Sequence, residues 1–514
     1  MTKNDTPQKK RVMPDQIRHP EINNMKTNLK VIISIIFIIF VFAFLRFSNI
    51  YSVPVFVDEA IYVRWSQVMR SEASLRFLPM SDGKQPLFMW ASMPIFKLIS
   101  DPLVAARTLS ALCGLGTMVG LSVLSFLFFQ STLVSLLTAL LYAVIPFTVF
   151  FDRMALADSM LAMFGVWVLV FFKLFLDKRS HDFAMLTGFA LGAALLTKSP
   201  AIFYFVWLGL VAIFTIDIKT ENKKTILNLL LGFFYILVIS LAMRSILKLG
   251  PNSNMAGQRN LDYLYTVSEV FTHPLSPLIG NLKTTVNWLW LLLTPAVFVS
   301  MFIFTGKQNK KTLLLLFFLS LVPLLSQAAV AKVYTSRYIL FTITPLLIIA
   351  ANNLVKLNKY LVCLILLSAA VTSIKYIYAP TKVNMPYDMT TGYYQEWTAG
   401  WGQKQVSDYL INLHNQGKKI VVFTEGFFGT MPDGIQIYTQ SYSNLTVVGS
   451  HPIVEKIPEG LLSTSEDNER FLVVNKSRNK LPEADLAKLE LIAQYPKHQR
   501  ADGTTESLQF YRLR

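Results

Sequence analysis

The apolar segments along this chain are long enough to cross a lipid bilayer. Residues 31–45, VIISIIFIIFVFAFL, contain one polar side chain, that of Ser34. A helix needs about 20 mainly apolar residues to span the hydrocarbon core, and about eleven segments approach that length. They are residues 31–49, 105–129, 132–150, 157–176, 183–199, 201–217, 226–243, 286–305, 312–328, 337–354 and 358–377. The sequence therefore predicts an α-helical polytopic membrane protein with about 11 transmembrane helices, in a range of about 10–13.

The composition and charge agree with a membrane protein. Hydrophobic residues make up 53% of the chain and charged residues 15%, a balance that is too apolar for a soluble protein. The formal net charge of +17 would suit nucleic acid or an anionic membrane surface. The basic residues are spread between the apolar segments and form no single stripe. They therefore favour membrane lipids and a lipid-phosphate ligand as partners, and no nucleic acid.

Basic residues in alternate short loops predict the orientation. The tail of residues 1–30 is polar and basic, with no small-residue cleavage site after the first apolar segment, so no cleavable signal peptide is expected. On the same side as this tail lie Lys178, Arg179, Lys219, Lys223, Lys224, Lys307, Lys310, Lys311, Lys356 and Lys359. The positive-inside rule places that side in the cytoplasm. We expect a multi-pass protein of the plasma (inner) membrane with a cytoplasmic N-terminus and an extracytoplasmic C-terminal domain.

These assignments divide the chain into three parts. A cytoplasmic tail (1–30) precedes a transmembrane domain (31–377), and an extracytoplasmic α/β domain (378–514) follows. Two outer loops of the transmembrane domain, 50–104 and 244–285, are too long to be simple connections. In the first loop, DEAIYVRWSQVMR predicts an amphipathic helix on the membrane surface, and residues 86–99 predict a second interfacial helix.

The segment after residue 380 has the pattern of a small soluble α/β domain. The stretches KKIVVFTEG, NLTVVGS, RFLVVN and ESLQFYRLR predict strands. Residues 403–417 predict a helix that ends at Gly417, and residues 483–495 predict a second helix. The glycine-containing segment 424–434 predicts a turn between strand and helix, with ligand binding as the alternative.

Charged residues gather at the outer ends of the apolar segments. They are Asp58, Glu59, Lys84, Arg107, Asp152, Arg153, Asp158, Lys198, Arg259, Lys332 and Arg337. An ionised side chain at the helix centre costs roughly 2.5–3.5 kcal/mol, so groups near the boundary need water, partners or a ligand. Because the cations run against the positive-inside bias, they indicate an anionic ligand, and phosphate is the natural candidate.

Seven of these residues also have a structural alternative. Asp58 and Glu59 suit the positive end of a helix dipole, and Arg153 and Asp158 suit an ion pair at a helix junction. Lys198 and Arg337 suit side chains that extend from helix ends to water, and Lys84 suits an ordinary loop. His273 has no second ligand at a metal-binding spacing, and Cys113 and Cys363 lie in apolar segments, so no metal site or disulfide is predicted.

The order of the motifs is more specific than any one of them. The chain presents FVDEAIY, KQPL, ARTLSAL, DRMALADSMLAMF, LTKSP and SRYILFTITPLL in succession. This order resembles the membrane-embedded GT-C glycosyltransferases that use polyprenyl-phosphate sugars. The similarity is greatest to the branch of protein O-mannosyltransferases, aminoarabinose (lipid A) transferases and rhizobial lipopolysaccharide sugar transferases. The resemblance covers about residues 31–355 and implies a GT-C fold.

The resemblance also implies roles for single residues. Asp58 matches the catalytic carboxylate after the first span, with Glu59 beside it. Lys84 and Pro86 match a Lys-Pro-Pro-Leu-like motif in which Gln85 replaces the first proline. Lys198 and Pro200 match a Thr-Lys-Gly-Pro motif in which Ser199 replaces glycine. The remaining matches are Arg107, Arg153, Asp158, Arg337 and Tyr338. The first outer loop lacks the Asp-any-Asp motif of metal-dependent oligosaccharyltransferases.

Residues and resemblance together predict an inverting glycosyltransferase, a hexosyl- or pentosyltransferase. The donor is a polyprenyl-phosphate sugar, and the acceptor hydroxyl belongs to a protein, a glycolipid or a cell-envelope polymer outside the membrane. Asp58 is the predicted general base, with Glu59 orienting it or the sugar. Lys84, Arg153, Arg259 and Arg337 are predicted to bind the donor phosphate, supported by Arg107, Asp158, Lys198 and Tyr338. No cofactor or metal is expected. The alternative is a lipid-linked sugar flippase or transporter.

Overall fold

A computed structural model of the chain describes residues 20–217, 219, 221–303 and 309–514, with the backbone alone for residues 20–27 and 256. Residues 1–19 of the predicted tail and Lys307 therefore lie outside the described residues. The first α-helices are α1 (Pro20–Phe47), α2 (Val57–Ser71), α3 (Leu87–Ile95), α4 (Pro102–Phe129), α5 (Thr132–Val144), α6 (Pro146–Phe151), α7 (Ala157–Lys178), α8 (His181–Thr197), α9 (Phe203–Thr215) and α10 (Lys223–Ser245).

A second series of α-helices continues to the end of the apolar region. It comprises α11 (Met255–Tyr263), α12 (Val267–Thr272), α13 (Ser276–Leu292), α14 (Pro295–Ser300), α15 (Lys310–Val330), α16 (Thr344–Leu354) and α17 (Lys359–Tyr378). A 3-10 segment, Ser336–Ile343, leads directly into α16.

The membrane-spanning character predicted from the apolar segments is confirmed. Among the described residues, 7 helices are long and apolar enough to cross a membrane, and three shorter apolar helices accompany them. Together they coincide with every predicted span except 286–305. The segment Ser336–Leu354 is 89% buried, whereas the window in α1 is only 17% buried. The 3-10 segment and α16 therefore lie at the centre of the helical assembly and α1 lies at its edge. The number of spans, about eleven, stays a prediction.

The segment predicted as the span 286–305 is divided between two helices. Helix α13 begins earlier, at Ser276, and Thr294 interrupts the helical backbone with a φ of 68° before Pro295 starts α14. The first half of α13 carries polar residues, and Asn281 donates hydrogen bonds to the carbonyls of Ala328 and Ala331. A search for continuous apolar runs misses such a half because polar residues interrupt the run, among them Asn281, which faces α15. The predicted outer loop 244–285 thus contains α11, α12 and the start of α13.

The C-terminal segment forms an α/β unit with one five-stranded sheet. Its helices are α18 (Tyr387–Thr390), α19 (Gln403–Asn415), α20 (Asp433–Thr439), α21 (Glu459–Leu462) and α22 (Glu483–Leu486). Its strands are β1 (Ile420–Thr424), β2 (Leu445–Gly449), β3 (Glu469–Asn475), β4 (Leu489–Pro496) and β5 (Ser507–Leu513). The strand order is β2-β1-β3-β5-β4, in which β1 is parallel to β2 and β3, and β5 is antiparallel to β3 and β4.

Most of the local predictions for this unit are confirmed. The four predicted strands are β1, β2, β3 and β5, and α19 is followed by Gly417 with a φ of 83°. The predicted helix over residues 483–495 is wrong: helix α22 ends at Leu486, and the rest forms β4. Strand β4 pairs with β5 from Leu489 to Pro496. Pairing with the edge of a sheet has overridden the helix preference of Glu, Ala and Leu.

Helix α2 forms as predicted, but its surroundings differ from the prediction. A helix lying on the membrane surface would keep one face exposed. Instead Ile61 and Trp65 are buried, and α2 packs against α3, α4 and α20. Helix α2 is therefore enclosed between the transmembrane helices and the C-terminal unit, where its side chains have fixed protein neighbours.

Candidate active site

The carboxylate of Asp58 lies in the first turn of α2 and faces Arg337. The Nη2 atom of Arg337 donates a hydrogen bond of 2.6 Å to the Oδ2 atom of Asp58. The two side chains are 15% and 12% exposed, so the pair is shielded but open to small molecules. Among the described residues, the Oδ1 atom of Asp58 has no hydrogen-bond partner, which leaves one oxygen to accept a proton.

Three cations keep this carboxylate ionised. Burial alone would raise the pKa of Asp58, but the positive charges of Arg337, Lys84 and Lys198 outweigh burial and hold the pKa below its ordinary value. The carboxylate is consequently ionised at neutral pH. The three cations come from three separate parts of the chain. In the folded protein all three act on the carboxylate of Asp58.

Arg337 is positioned by a residue beyond the last apolar helix. Asp388 in α18 accepts hydrogen bonds from the backbone nitrogen of Ser336 (2.9 Å) and from its hydroxyl (2.8 Å). The same carboxylate accepts a hydrogen bond of 2.8 Å from the indole of Trp288. Asp388 therefore fixes the start of the 3-10 segment immediately before Arg337. The sequence did not single out Asp388, because nothing local links it to residue 336.

Lys198 and Asp158 form a second pair beside the first. The Nζ atom of Lys198 lies 2.5 Å from the Oδ1 atom of Asp158 and 4.6 Å from the centre of the Tyr338 ring. The guanidinium carbon of Arg337 lies 5.3 Å from the same ring centre. Tyr338 therefore contacts two cations through its ring, as a cation–π partner. These residues, predicted as supporting ones, are brought together.

Lys84 and Arg259 meet at Asp82, a residue that the sequence did not single out. Lys84 donates to one oxygen of Asp82, and the Nη2 atom of Arg259 lies 2.6 Å from the other. The turn that carries Lys84 depends on Gly83, whose φ is 69° and where a Cβ atom would come within 2.8 Å of the Arg259 side chain. A glycine is required there because of both the backbone conformation and the close approach. The two long loops that were predicted to lie outside the membrane are joined at this point.

The phenol of Tyr263 lies where these groups meet. Burial raises its pKa, and the charges of Lys84, Asp58 and Arg259 also act on it. Tyr263 belongs to α11, in the second outer loop, and is half-buried. It is a further site residue that sequence reasoning missed, and the only available signal was its place in a long outer loop.

Glu59 does not share the surroundings of Asp58. Its two carboxylate oxygens accept hydrogen bonds of 2.8 and 2.7 Å from the guanidinium of Arg107, and both side chains are buried. Glu59 also accepts a hydrogen bond of 2.6 Å from the backbone nitrogen of Ala155, while Arg107 donates to the carbonyl oxygens of Ile50 and Val53. The pair joins α2 to α4 and to the segment before α7. The structure thus separates Glu59 and Arg107 from the site and gives them a structural role.

Arg153 is also placed elsewhere. Its guanidinium donates to the carbonyls of Leu45, Arg46, Ser48 and Asn49, at the C-terminal end of α1. A cation there donates hydrogen bonds to the last carbonyls of the helix. Its positive charge also interacts favourably with the negative end of the helix dipole. With 4% of its surface exposed, Arg153 is not available to a lipid phosphate, in contrast to the prediction.

The carboxylate of Asp152, next to Arg153, is also paired inside the protein. Its Oδ2 atom lies 3.1 Å from the Nη2 atom of Arg46, and both side chains are fully buried. The hydroxyls of Tyr142 and Ser159 donate to its other oxygen. Asp152 therefore cannot serve as an alternative base for a substrate.

The C-terminal unit reaches α2 close to Asp58. The predicted turn between β1 and α20 is confirmed, with Gly426 and Gly429 at positive φ values of 77° and 111°. A Cβ atom on Gly429 would lie 3.3 Å from the side chain of Val57, which precedes Asp58. On α2, Arg64 donates hydrogen bonds of 3.0 and 2.6 Å to Gln436 and Gln440. The C-terminal unit therefore contacts α2, the helix that carries the candidate base Asp58.

A cleft lies away from this site. It has a volume of about 870 Å³ and lies between α2 and the C-terminal unit, with Arg64, Arg70 and Lys404 in its lining. Its lining includes neither Asp58 nor Arg337. Among the described residues, no group of three or more His, Cys, Asp or Glu side chains is placed to hold a metal ion. The absence of a metal stays a prediction.

Part of the chain matches a known family. Residues 80–246 match the model of the family described as dolichyl-phosphate-mannose-protein mannosyltransferase. The matched range includes Lys84, Asp158 and Lys198, but it ends before Arg259 and begins after Asp58. No curated protein matches the chain in sequence.

Several solved structures share the fold. ArnT from Cupriavidus metallidurans in the apo state has a TM-score of 0.58 at 15% identity, covering 94% of this chain and 98% of that chain. The same protein bound to undecaprenyl phosphate has a TM-score of 0.58 at 14% identity, with 92% and 97% covered. Archaeal oligosaccharyltransferase AglB from Archaeoglobus fulgidus, in complex with an inhibitory peptide and a dolichol-phosphate, has a TM-score of 0.50 at 11% identity, with 87% and 70% covered.

At these identities the structural likeness establishes the fold. The resemblance to the GT-C branch that the order of motifs indicated is confirmed by the family match and by the shared fold. The chain is a multi-pass membrane protein with an additional C-terminal α/β unit.

Proposed function

We propose that this chain is an inverting glycosyltransferase that moves a sugar from a polyprenyl-phosphate donor to an acceptor hydroxyl on the outer face of the membrane. The observation that carries the proposal is the partly exposed carboxylate of Asp58, which is hydrogen-bonded to Arg337 and on which the charges of Lys84 and Lys198 also act. A displacement at a sugar carbon needs a base for the acceptor and cations for the leaving phosphate. The match to a mannosyltransferase family over residues 80–246 supports the same reaction class.

The donor phosphate would lie among Lys84, Arg259 and Arg337. All three are partly exposed: Lys84 and Arg337 act on Asp58, and Arg259 adjoins Lys84 through their shared partner Asp82. Lys198 and Arg337 both contact the ring of Tyr338, so Lys198 adjoins this set. Arg153, predicted as a fourth phosphate ligand, is excluded from this set by its partners at the end of α1.

The chemical step is a single displacement. The Oδ1 atom of Asp58 accepts the proton of the acceptor hydroxyl while the hydroxyl oxygen forms a bond to the anomeric carbon. The bond from that carbon to the phosphate oxygen breaks, and its electron pair leaves with the polyprenyl phosphate. Because attack and departure occur on opposite faces, the anomeric configuration is inverted. The phosphate changes from a diester to a monoester and gains negative charge, which the surrounding cations stabilise.

Donor binding would also prepare the base. Arg337 is paired with Asp58, and this pairing makes the carboxylate a weaker base. A lipid phosphate competes for the same guanidinium. When Arg337 turns to the phosphate, Asp58 loses a stabilising charge and accepts a proton more readily. The proposal therefore predicts an ordered reaction in which the donor binds first.

The alternative is a lipid-linked sugar flippase or transporter. Such a protein more often carries its polar groups near the middle of broken helices. Here Asp58, Lys84 and Arg259 belong to segments outside the predicted spans, and Arg337 precedes α16. This grouping at one end of the helices favours transfer at the membrane boundary. We further propose that this boundary is the outer face of the plasma (inner) membrane.

The test is transfer of a radiolabelled sugar. Purified chain in lipid nanodiscs is incubated with a panel of radiolabelled undecaprenyl-phosphate hexoses and pentoses, together with a solubilised cell-envelope fraction. Label should move to a protein, a glycolipid or a polymer, and undecaprenyl phosphate should be released. Asp58→Asn should lower transfer at least about a hundredfold, since general base catalysis contributes about 10²–10⁴-fold.

A matched variant separates base chemistry from a general charge effect. Asp408→Asn changes an exposed carboxylate on α19, paired with Lys404, and should leave transfer unchanged. Transfer by Asp58→Asn at the wild-type rate would remove Asp58 as the base. In sealed liposomes, sugar that crosses the bilayer while remaining attached to the lipid would favour the flippase.

A further inference from the structure

The side chains of Gln85 and Ser199 form a hydrogen bond between two separate loops. The Nε2 atom of Gln85 donates to the Oγ atom of Ser199 at 2.8 Å, across 114 residues of sequence. Gln85 follows Lys84, and Ser199 follows Lys198. The bond therefore connects the residues next to two cations of the proposed phosphate site.

These two positions are the ones at which the chain departs from the motifs it resembles. Gln85 stands where the lysine motif has proline, and Ser199 stands where the later motif has glycine. Neither proline nor glycine has a side chain that could form this bond. Each departure alone changes one loop, whereas the two together create a contact between the loops.

Beyond the packing of α3, which follows Gln85, against α8, which precedes Lys198, the two loops themselves have few contacts that fix the positions of the lysines. Lys84 follows the left-handed Gly83, and Lys198 is extended, with φ and ψ of -162° and 147°. Each ammonium group is paired with a carboxylate, Asp82 or Asp158. Among the described residues, no other hydrogen bond joins residues 83–86 to residues 197–200.

We infer that the hydrogen bond between Gln85 and Ser199 sets the spacing of Lys84 and Lys198 before the donor phosphate arrives. This inference rests on the proposed function. Two ammonium groups that face one site repel each other, and long lysine side chains lose entropy when a ligand orders them. A contact that already holds the loops together reduces the ordering that phosphate binding requires, which is preorganisation. Gln85 and Ser199 are thus positioning residues and not ligands.

The test is a double-mutant cycle on lipid-phosphate affinity. The probe is undecaprenyl phosphate, titrated into the purified full chain in nanodiscs and followed by tryptophan fluorescence. A neutral hydrogen bond has a modest net effect, so Gln85→Ala and Ser199→Ala should each weaken binding by about two- to tenfold. The double variant should be no weaker than the single variants, because they remove the same contact.

Conservative variants distinguish positioning from a loss of structure. Ser199→Thr keeps the hydroxyl and should bind as the unaltered chain does, whereas Gln85→Asn is one methylene too short and should behave like Gln85→Ala. In the transfer assay, the weakened variants should show a higher KM for the donor with an unchanged kcat. Ser81→Ala is a matched control in the same loop, because that hydroxyl bonds only to the nearby carbonyl of Leu78.

The outcomes also separate this inference from the proposed function. Wild-type affinity in the single variants, or effects that multiply in the double variant, would overturn the role of the bond. Lys84→Ala and Arg337→Ala report on the phosphate site itself. If they weaken binding while the cycle shows no coupling, only the positioning role fails. If Lys84→Ala and Arg337→Ala instead bind undecaprenyl phosphate normally, the proposed phosphate site is wrong. The inference about Gln85 and Ser199 is then wrong as well.

Discussion

The carboxylate of Asp58 lies 2.6 Å from the guanidinium of Arg337, although 279 residues separate them in the sequence. The next residue, Glu59, pairs instead with Arg107, a different arginine, in the protein interior. Two adjacent acids therefore have two different roles. The first turn of α2 directs one carboxylate to an open site and the other to the core.

Glu59→Gln should destabilise the fold and should not act on the chemistry. Removing one partner of a buried ion pair leaves an uncompensated charge and costs about 3–5 kcal/mol. The fully buried Arg107 would be the group left unpaired. We expect a large fall in melting temperature and in yield, measured by thermal unfolding in detergent, with normal turnover in any protein that remains folded.

Asp58→Asn should show the opposite of Glu59→Gln, with normal stability and reduced transfer. It should retain the melting temperature and lose transfer, because Asp58 is partly exposed and Asn is also accepted at a helix start. A stable Glu59→Gln protein with greatly reduced turnover would return Glu59 to the catalytic site.

Arg337→Ala and Arg153→Ala should change different properties: the first donor binding, the second thermal stability. Loss of a charged hydrogen bond to phosphate typically costs about 1.5–3 kcal/mol, so Arg337→Ala should weaken undecaprenyl phosphate binding roughly tenfold or more. Arg153→Ala removes hydrogen bonds to the last carbonyls of α1 and should lower thermal stability instead. Binding titrations and melting curves on both variants distinguish these effects.

The control for this comparison is Lys310→Ala, an exposed lysine at the start of α15. It should change neither property. Equal donor affinity in Arg337→Ala and Lys310→Ala would take Arg337 out of the phosphate site.

Arg64→Ala should loosen the contact between α2 and the C-terminal unit. Its two hydrogen bonds to Gln436 and Gln440 come from a charged donor, and each is worth about 1.5–3 kcal/mol. We expect faster hydrogen exchange in α2 and a several-fold lower transfer rate, because α2 carries Asp58. Arg70→Ala, on the same helix but without an ion pair among the described residues, should have neither effect. Unchanged exchange in Arg64→Ala would mean that other contacts hold α2.

Acidification should strengthen the C-terminal sheet. Burial raises the pKa of Glu425 from 4.5 to about 7, although hydrogen bonds from Asn475 and the charge of Arg478 act in the opposite direction. Between these two values the folded protein keeps the proton and the unfolded chain does not. The stability linked to Glu425 is therefore complete below about pH 4.5 and is lost as the pH rises through about 7. Hydrogen exchange of β1 and β3, corrected for the intrinsic rate, should slow from pH 8 to pH 6.

Glu425→Gln tests the origin of this dependence. The amide does not titrate, so exchange in β1 and β3 should lose most of its variation with pH. Glu459→Gln, which changes an exposed carboxylate of the same unit, should keep it. The same pH profile in Glu425→Gln would assign the effect to another group.

The orientation of the chain can be tested by cysteine labelling. A Cys placed at Ser441, in the C-terminal unit, should react in intact cells with a reagent that cannot cross membranes. A Cys at Asn309, in a predicted cytoplasmic loop, should react only after the membrane is opened. Both are made in a Cys363→Ser background, because the thiol of Cys363 is exposed. The reverse pattern would place the proposed site on the cytoplasmic side.

The sequence alone determined the class of molecule and selected several residues of the candidate site. Continuous apolar runs must lie in lipid or in a core, and in lipid only helices satisfy the backbone, so most helices could be located. Asp58, Lys84, Lys198 and Arg337 could be selected because charges at span ends are costly without partners. The order of these motifs was sufficient to indicate the GT-C fold.

Only the tertiary structure decided which charge faces which partner. Glu59 and Arg153 carry the same charges as Asp58 and Arg337, yet they face the core and the end of α1. Asp82 and the contact between Gln85 and Ser199 depend on loops that meet only after folding. The physical reason is that burial and charge pairing depend on distances between segments far apart in sequence, whereas hydrophobic patterning and motif order are local. The sequence could therefore place these charges near the membrane boundary, but only folding assigned each one its partner.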